Sequence, residues 1–434
     1  MNTNRLSRRR FLGAASAAVV APTIVPSSLF GADAPSNRVG VGIIGLGTRG
    51  SGHTKGAMHI PGMQVLAVCD VYASKAEKMK RSVERHYARA KAQGTYKGCT
   101  SHQDFRELLA REDIDAVFIA SPENWHGVHM AMAARAGKDV YGEKSLTHTI
   151  REGRALVNTV RRYGTVFQAG TQQRSDAKFR LACELARNGY LGKVSEVHVG
   201  VTGGKGRAKP GIWPVVPVPA DIDYDLWLGP APWKPYRRGL CTFNWYFVSD
   251  YCAGFIASWG VHHMDIAMWG MPELHEGQVE VDGTAKFFKG TADVAYEWDT
   301  NMVTKSGLRV HFVDNSKSHG QGCRFIGDEG WVHVNRRGIH ASDPALLRIK
   351  MKPGDTHLQV SNNHPVDFLK RIHDRRDPVA PVEACHRATV LSLVADVATR
   401  LGRKVTWDWD KESFLDDEIA NRMLGRALRG PWRV

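Results

Sequence analysis

The sequence predicts a doubly wound α/β domain with a parallel sheet, followed by a second domain of α+β class with mostly antiparallel strands. In residues 39–170, short apolar stretches alternate with helix-like stretches, the pattern of parallel strands joined by helices. From residue 279 onwards, strand-like stretches follow one another directly, as in an antiparallel sheet. The chain of 434 residues is long enough for each domain to have its own hydrophobic core.

The first β-α-β unit begins with an apolar strand at residues 39–44, continues as a helix at 51–59 and ends with a strand at 64–70. Between the first strand and the helix lies a G-x-G-x-x-G sequence: Gly45, Leu46, Gly47, Thr48, Arg49 and Gly50. The order of strand, glycine loop, helix and second strand is typical of a Rossmann dinucleotide-binding domain.

Each part of this unit has a physical role in binding a dinucleotide. Gly45 permits the tight turn, Gly47 lets the backbone approach the pyrophosphate, and Gly50 lets the helix pack closely on the strand. The helix N-terminus presents free N–H groups to the phosphates. Asp70, at the end of the second strand, accepts hydrogen bonds from a ribose, which favours NAD over NADP, although Lys75 lies nearby.

The alternation then continues to the end of the predicted first domain. Its further helices and strands are predicted at 74–93, 105–110, 116–120, 127–137, 139–141, 151–163 and 166–170. Loops at 121–126, 142–146 and 170–174 follow strand ends, where parallel sheets bind ligands.

The N-terminus has the layout of a cleaved export signal. Residues 7–12 read Ser-Arg-Arg-Arg-Phe-Leu, residues 13–25 are modestly apolar, and Ala32-Asp33-Ala34 resembles a cleavage site. The arginines before Phe-Leu indicate the twin-arginine type. We therefore expect a signal peptide at 1–34, recognition by the twin-arginine export machinery, and a periplasmic protein that carries its dinucleotide with it.

Composition excludes several other classes of protein. The net charge is +15, but Lys and Arg are scattered and form no basic block interleaved with aromatics, so we expect no nucleic-acid partner. No apolar run approaches the roughly 20 residues of a membrane span. The seven cysteines include no C-x-x-C pair and are expected to be buried and to bind no metal.

Several strings of residues resemble the Gfo/Idh/MocA oxidoreductase family, in particular its exported bacterial branch. These strings lie at 42–50, 121–126, 142–146, 170–175, 226–233, 259–265 and 402–408. The resemblance implies an α/β Rossmann domain at 35–172 and an α+β C-terminal domain at 173–434 with a large, mostly antiparallel open sheet. It also implies a homo-oligomer, a dimer or tetramer, formed through the uncovered face of that sheet.

The resemblance implies hydride transfer between NAD(P) and a hydroxyl of a sugar or polyol, with Lys144 and His262 as catalytic residues. Lys144 belongs to the family's Glu-Lys-Pro motif, in which Ser145 replaces the proline. His262 lies in the family's Asp-x-Gly-x-His motif, but Ser258 stands in place of the first aspartate, which weakens the expected proton relay. Asp250 or Asp265 is a candidate substitute.

Further site residues are expected around this pair. The predicted cofactor-binding residues are the six residues of the glycine loop and Asp70, Ser121, Pro122, Asn124, His126, Glu143, Lys144 and Gln172. The predicted substrate residues are Lys144, Arg174, Trp245, Asp250, His262 and His263.

The second domain opens with a strand at 194–203, followed by a long segment at 203–250 rich in Gly, Pro and aromatic residues. Such a long segment suggests a substrate-side loop system whose aromatic rings stack on sugars. Residues 254–270 are predicted as a helix that carries His262, and further helices are predicted at 364–375 and 384–401. The remaining strands are predicted at 279–288, 292–299, 308–314, 322–327 and 330–334.

Two other functions stay open at this point. Some relatives in the family cleave glycosides by transient oxidation with bound NAD, which suits an exported enzyme without free cofactor. A sugar- or cofactor-binding protein without catalysis is the third alternative, because Ser258 removes a carboxylate. No metal is expected at His262 and His263, because adjacent side chains on a helix point about 100° apart.

Overall fold

The computed structural model describes residues 38–314 and 320–434, so the predicted signal at 1–34 lies outside the described residues. Residues Val39–Val434 form one compact unit. Within the described ranges, no helix has the length and apolar character needed to cross a bilayer.

The first sheet contains six parallel strands in the order β3-β2-β1-β4-β5-β6. Its strands are β1 (Val39–Ile44), β2 (Met63–Cys69), β3 (Thr100–His102), β4 (Ala116–Ile119), β5 (Asp139–Gly142) and β6 (Phe167–Ala169). The helices that join them are α1 (Thr48–Met58), α2 (Ala73–His86), α3 (Ala88–Ala92), α4 (Phe105–Leu109), α5 (Glu123–Arg135) and α6 (Ile150–Tyr163). The strand order reverses between β1 and β4, which is where such sheets form their ligand crevice.

Two details of this domain differ from the sequence prediction. Helix α5 begins at Glu123 rather than at residue 127, because Pro122 takes the extended conformation that precedes a helix (φ −60°, ψ 152°). Residues 123–126 therefore form a first helical turn and not a loop. Strand β3 has only three residues and no buried position, so no apolar pattern marked it.

The second sheet contains nine strands in the order β13-β12-β11-β7-β10-β9-β8-β14-β15. Only β7 and β10 pair in parallel, and every other pair is antiparallel. Its strands are β7 (Val194–Val201), β8 (Gln278–Phe287), β9 (Ala295–Thr304), β10 (Arg309–Asp314), β11 (Gly322–Gly327), β12 (Trp331–Val334), β13 (Ile339–Ala341), β14 (Val405–Asp408) and β15 (Ser413–Phe414). The predicted fold class is therefore confirmed.

The remaining helices follow strand β6 in the chain. They are α7 (Ala177–Arg187), α8 (Tyr224–Leu228), α9 (Phe255–Ser258), α10 (Gly260–Gly270), α11 (His364–Asp374), α12 (Val382–Leu401) and α13 (Glu418–Arg422), with 3-10 turns at Gln172–Ser175, Phe243–Phe247, Pro272–His275 and Leu346–Arg348. Helix α10 is buried on all sides, as its apolar sequence requires.

Helices α7, α10 and α12 pack together on one face of the second sheet. Gly260 and Gly270 let α10 approach β10 and β11, since a Cβ there would lie 2.8 Å from Phe312 and 2.5 Å from Phe325. The opposite face of the sheet carries exposed polar side chains, among them Glu280 and Arg309. Use of that face for oligomer contacts remains a prediction.

Candidate active site

The glycine loop folds as its sequence requires. Gly45 has φ +86°, and a Cβ on it would lie 2.7 Å from the Ser121 backbone nitrogen, so the ends of β1 and β4 lie close together. A Cβ on Gly50 would lie 1.7 Å from the Gly45 carbonyl oxygen, which makes glycine necessary for the approach of α1 to the loop. A Cβ on Gly47 would meet nothing within 4 Å, so its backbone faces open space. This opening fits a pyrophosphate at the N-terminus of α1.

Asp70 follows β2 and is nearly buried. Its carboxylate accepts hydrogen bonds from the backbone nitrogens of Leu46 (2.7 Å) and Tyr72 (2.9 Å), so it ties the glycine loop to the end of β2. Burial raises the pKa of Asp70, although the charge of Lys75 and these two hydrogen bonds oppose the shift. Each carboxylate oxygen keeps a second lone pair for a ribose hydroxyl.

A single cavity of about 1600 Å³ extends from this loop to the predicted catalytic residues. This volume exceeds the roughly 300–1,000 Å³ of a pocket for one small molecule, so it accommodates a dinucleotide together with a substrate. The predicted site residues that line it are Gly45, Leu46, Gly47, Thr48, Arg49, Asp70, Ser121, Pro122, His126, Glu143, Lys144, Trp245 and His262.

Three predicted substrate residues lie outside the lining of this cavity. The Arg174 guanidinium forms a buried, two-pronged ion pair with Asp265, at 2.7 and 2.8 Å. Asp250 pairs with Lys234. His263 is fully buried, and its Nδ1 lies 2.8 Å from the Gly200 carbonyl oxygen. These contacts give each residue a structural role, and neither Asp250 nor Asp265 takes the place of the missing aspartate.

Three predicted cofactor residues also lie just behind the lining. Gly50 lies against the Gly45 carbonyl oxygen, on the side of the loop that faces away from the cavity. The Asn124 amide donates to the Leu228 carbonyl oxygen at 3.0 Å. The Gln172 amide donates to Glu143 at 2.9 Å and to the Tyr141 hydroxyl at 3.1 Å, so it orients a residue that does line the cavity.

Glu143 is held as a carboxylate by its neighbours. Its Oε1 lies 2.8 Å from His53 Nε2 and 3.5 Å from Arg49 Nε, and it also accepts from Gln172. Burial alone would raise the pKa of Glu143, but the hydrogen bond and charge of His53, followed by the charges of Arg49 and Lys144, lower it to about 2. Glu143 is therefore an ionised acceptor beside the glycine loop.

Lys144 projects into a group of polar side chains at the other end of the cavity. Its Nζ donates to Ser258 Oγ at 3.1 Å and lies 5.7 Å from the centre of the Tyr246 ring. Burial raises the pKa of the Tyr246 hydroxyl, although the charge of the nearby Lys144 opposes the shift. Burial opposes the charge of Lys144, but Tyr246, Glu123 and Glu143 outweigh it and raise the pKa of the ammonium. Lys144 is therefore cationic at neutral pH.

Glu123 is a carboxylate that the sequence analysis did not select. It is 1% exposed, and its Oε1 accepts a hydrogen bond from the Ser145 backbone nitrogen at 3.3 Å. It acts electrostatically on Lys144 and thus compensates in part for Ser258. The available signal was an acid directly after a proline that follows a parallel strand, a position where helices begin.

His262 lies in the first turn of α10 and borders the same cavity. Its ring packs 5.3 Å from the Trp259 ring, and its Nδ1 has no hydrogen-bond partner among the described residues. Burial, followed by the charges of Lys144 and Arg336, holds the pKa of His262 well below its usual value of 6.5. The imidazole is therefore unprotonated at neutral pH.

His126 links the two loops that border the cavity. Its ring nitrogens lie 2.6 Å from the Ser145 carbonyl oxygen and 2.9 Å from the Ser121 carbonyl oxygen. Burial lowers the pKa of His126, and a neutral ring has a single N–H, so it donates to one of these two carbonyl oxygens and packs against the other. The residues present thus fit a nicotinamide dinucleotide that extends from the glycine loop towards Lys144 and His262. Within the described ranges, no group of three or more potential metal ligands occurs.

Two family profiles match most of the chain. The profile described as the NAD-binding Rossmann fold of the oxidoreductase family matches residues 39–171. The profile described as the C-terminal alpha/beta domain of the same family matches residues 201–434.

Individual proteins show the same relationship over shorter stretches. The uncharacterized oxidoreductase YrbE of Bacillus subtilis is 30% identical over 157 residues, which are 36% of this chain and 42% of YrbE. An alpha-N-acetylgalactosaminidase of Shewanella oneidensis is 34% identical over 152 residues, which are 34% of this chain and 32% of that protein. The chain thus matches less than half of the length of these relatives.

Among solved structures, scyllo-inositol dehydrogenase from Lactobacillus casei, with NAD(H) and scyllo-inositol bound, has a similar fold. The TM-score is 0.57 at 18% identity, over 85% of this chain and 99% of that one. This likeness concerns the fold. Because the two profiles together extend over both sheets and over the site built between them, the chain belongs to the Gfo/Idh/MocA oxidoreductase family.

Proposed function

We propose that this protein is an NAD-dependent oxidoreductase that acts on a CH–OH group of a sugar or polyol. The observation that carries the proposal is one cavity that joins a dinucleotide loop to a cationic lysine and a neutral histidine. When bound, the oxidised nicotinamide supplies the acceptor for the hydride. The chain itself must then orient the hydroxyl and remove its proton.

In this proposal His262 takes the hydroxyl proton, because it borders the cavity beside Lys144 and its imidazole is unprotonated at neutral pH. Lys144 donates a hydrogen bond to the same oxygen and stabilises the negative charge that develops on it. Ser258 and Glu123 position Lys144, the first by a hydrogen bond and the second by its charge. Trp245 borders the cavity and offers an aromatic face to the sugar.

We propose NAD as the preferred cofactor, because the Asp70 carboxylate stands where a 2′-phosphate would be repelled. Lys75 and Lys78 also line that end of the cavity, and their positive charges favour a phosphate there. The alternative to be tested is therefore NADP. We also propose export by the twin-arginine route, which delivers a folded protein with its dinucleotide already bound. Unfolding the purified protein and identifying the released nucleotide by mass tests the preference for NAD and whether the dinucleotide stays bound.

The activity itself is tested by adding neutral and acidic sugars and polyols to the NAD-loaded protein and recording the near-ultraviolet absorbance of reduced nicotinamide. If the protein oxidises the sugar, the absorbance band of reduced nicotinamide should rise in proportion to the sugar consumed. Binding of sugars without any change in the band contradicts the proposal and favours a non-catalytic binding protein.

The likeness to an alpha-N-acetylgalactosaminidase favours one second candidate, glycoside cleavage by transient oxidation of the sugar. In that reaction a hydride leaves the sugar and returns to it, so no reduced nicotinamide accumulates. Glycosides with a coloured leaving group separate the two candidates. Release of the leaving group without a lasting band supports cleavage, whereas a lasting band without release supports the dehydrogenase.

A further inference from the structure

Arg336 lies on the turn between β12 and β13 and borders the cavity from the side of the second sheet. Its guanidinium carbon is 4.9 Å from the centre of the Trp259 ring, and that ring packs 5.3 Å from His262. The guanidinium is thus held by a cation–π contact beside the proposed base. Among the described residues, Arg336 has no ion pair or side-chain hydrogen bond.

The charges along the cavity are strongly unequal. Seven lysine or arginine residues line it against two acidic residues, Asp70 and Glu143. A dinucleotide pyrophosphate brings two negative charges and leaves an excess of cations. Three of these cations, Lys144, Arg336 and Arg49, act on His262, so the excess extends to the substrate end.

Glu143 does not neutralise this excess, because its carboxylate is already shared by His53, Gln172 and Arg49. The Arg336 side chain is exposed at the edge of the cavity; its partial desolvation there, followed by the nearby charge of Arg49, lowers the pKa of the guanidinium, and the charge of Glu143 opposes this shift. A planar guanidinium in this state is suited to a two-pronged contact with an oxyanion.

We propose that the substrate is an anionic carbohydrate whose oxyanion, a sugar carboxylate or a phosphate ester, is bound by Arg336. This inference rests on the proposed function and names its substrate class. Lys144 and His262 act on the hydroxyl, while Arg336 binds the charged group and thereby selects acidic sugars over neutral ones.

The test compares matched substrates on NAD-loaded protein: glucose with glucuronate and glucose 6-phosphate, and galactose with galacturonate. The variants are Arg336→Gln and Arg336→Lys, and Arg337→Gln is the control, since Arg337 is the adjacent arginine, exposed like Arg336, that does not line the cavity. The readouts are KM and kcat from the reduced-nicotinamide band, titration calorimetry of each sugar, and the amount of nucleotide retained.

We expect wild type to prefer at least one acidic sugar over its neutral partner. We also expect Arg336→Gln to raise the KM and Kd of that sugar about 10- to 100-fold with little change in kcat. Arg336→Lys should recover part of this loss, and Arg337→Gln should resemble wild type. The carboxylate and phosphate substrates separate the two kinds of oxyanion.

The inference would be overturned by equal use of neutral and acidic sugars, by an equal loss for both in Arg336→Gln, or by loss of bound nucleotide from that variant. Turnover of neutral sugars alone would refute it and leave the proposed function standing. If no sugar is oxidised, the proposed function fails, and calorimetry still decides whether Arg336 binds the anion.

Discussion

Gly47→Ala separates the proposed dinucleotide site from the stability of the fold. A Cβ at this position meets no protein atom within 4 Å, and the φ of Gly47 is −63°, which alanine adopts without strain. The free energy of unfolding should therefore change by less than about 1 kcal/mol. The methyl group does, however, project into the opening where a pyrophosphate would approach the backbone.

The expected loss of affinity follows from the hydrogen bonds displaced. One backbone N–H bond to a charged phosphate contributes about 1.5–3 kcal/mol. Loss of one such bond weakens NAD binding by roughly 10- to 150-fold. Calorimetric titration with NAD measures this factor, and thermal unfolding of the nucleotide-free protein measures stability.

Two further variants control the experiment. Gly354→Ala adds a methyl group that also meets nothing within 4 Å, but away from the cavity, and should change neither property. Gly50→Ala places a Cβ 1.7 Å from a backbone oxygen and should lower stability by at least about 1–3 kcal/mol. Wild-type affinity for NAD in Gly47→Ala would refute the placement of the pyrophosphate.

Three other predictions follow from the site. Lys144→Ala should retain NAD and lose turnover by roughly 10²- to 10⁴-fold; loss of NAD with intact chemistry on added NAD would contradict its role. Because burial and the charges of Lys144 and Arg336 hold the pKa of His262 well below 6.5, the neutral base persists as the pH falls through 6.5, and kcat/KM should stay level there; a fall to half near pH 6.5 would contradict this. Arg174→Met should destabilise the fold by about 3–5 kcal/mol in denaturant unfolding, because the buried Asp265 loses its partner; an increase in KM with unchanged stability would instead assign Arg174 to the substrate.

The sequence was most informative where local chemistry determines the structure. The glycine loop and Asp70 could be placed because a tight turn, a phosphate and a ribose each require a particular residue at a fixed spacing. The helix that carries His262 could be placed because its buried, apolar sequence continues across the histidines. The seven cysteines are all buried, as their spacing indicated.

The contacts that the sequence could not supply are the long-range ones. Arg174 and Asp265 are 91 positions apart, and nothing in either sequence context indicates that they pair with each other rather than with a substrate. Arg336 reaches the cavity only because the turn after β12 folds back over Trp259. Glu123 was missed for a different reason: the helix starts four residues earlier than predicted, which buries its carboxylate near Lys144.

The most direct test of this account is a crystal structure of the protein with NAD bound. We predict that the pyrophosphate contacts the backbone at Gly45–Gly50, the adenosine ribose contacts Asp70, and the nicotinamide ring lies between Lys144 and His262 within reach of a sugar hydroxyl. A dinucleotide bound elsewhere, or a nicotinamide ring turned away from Lys144, would contradict it.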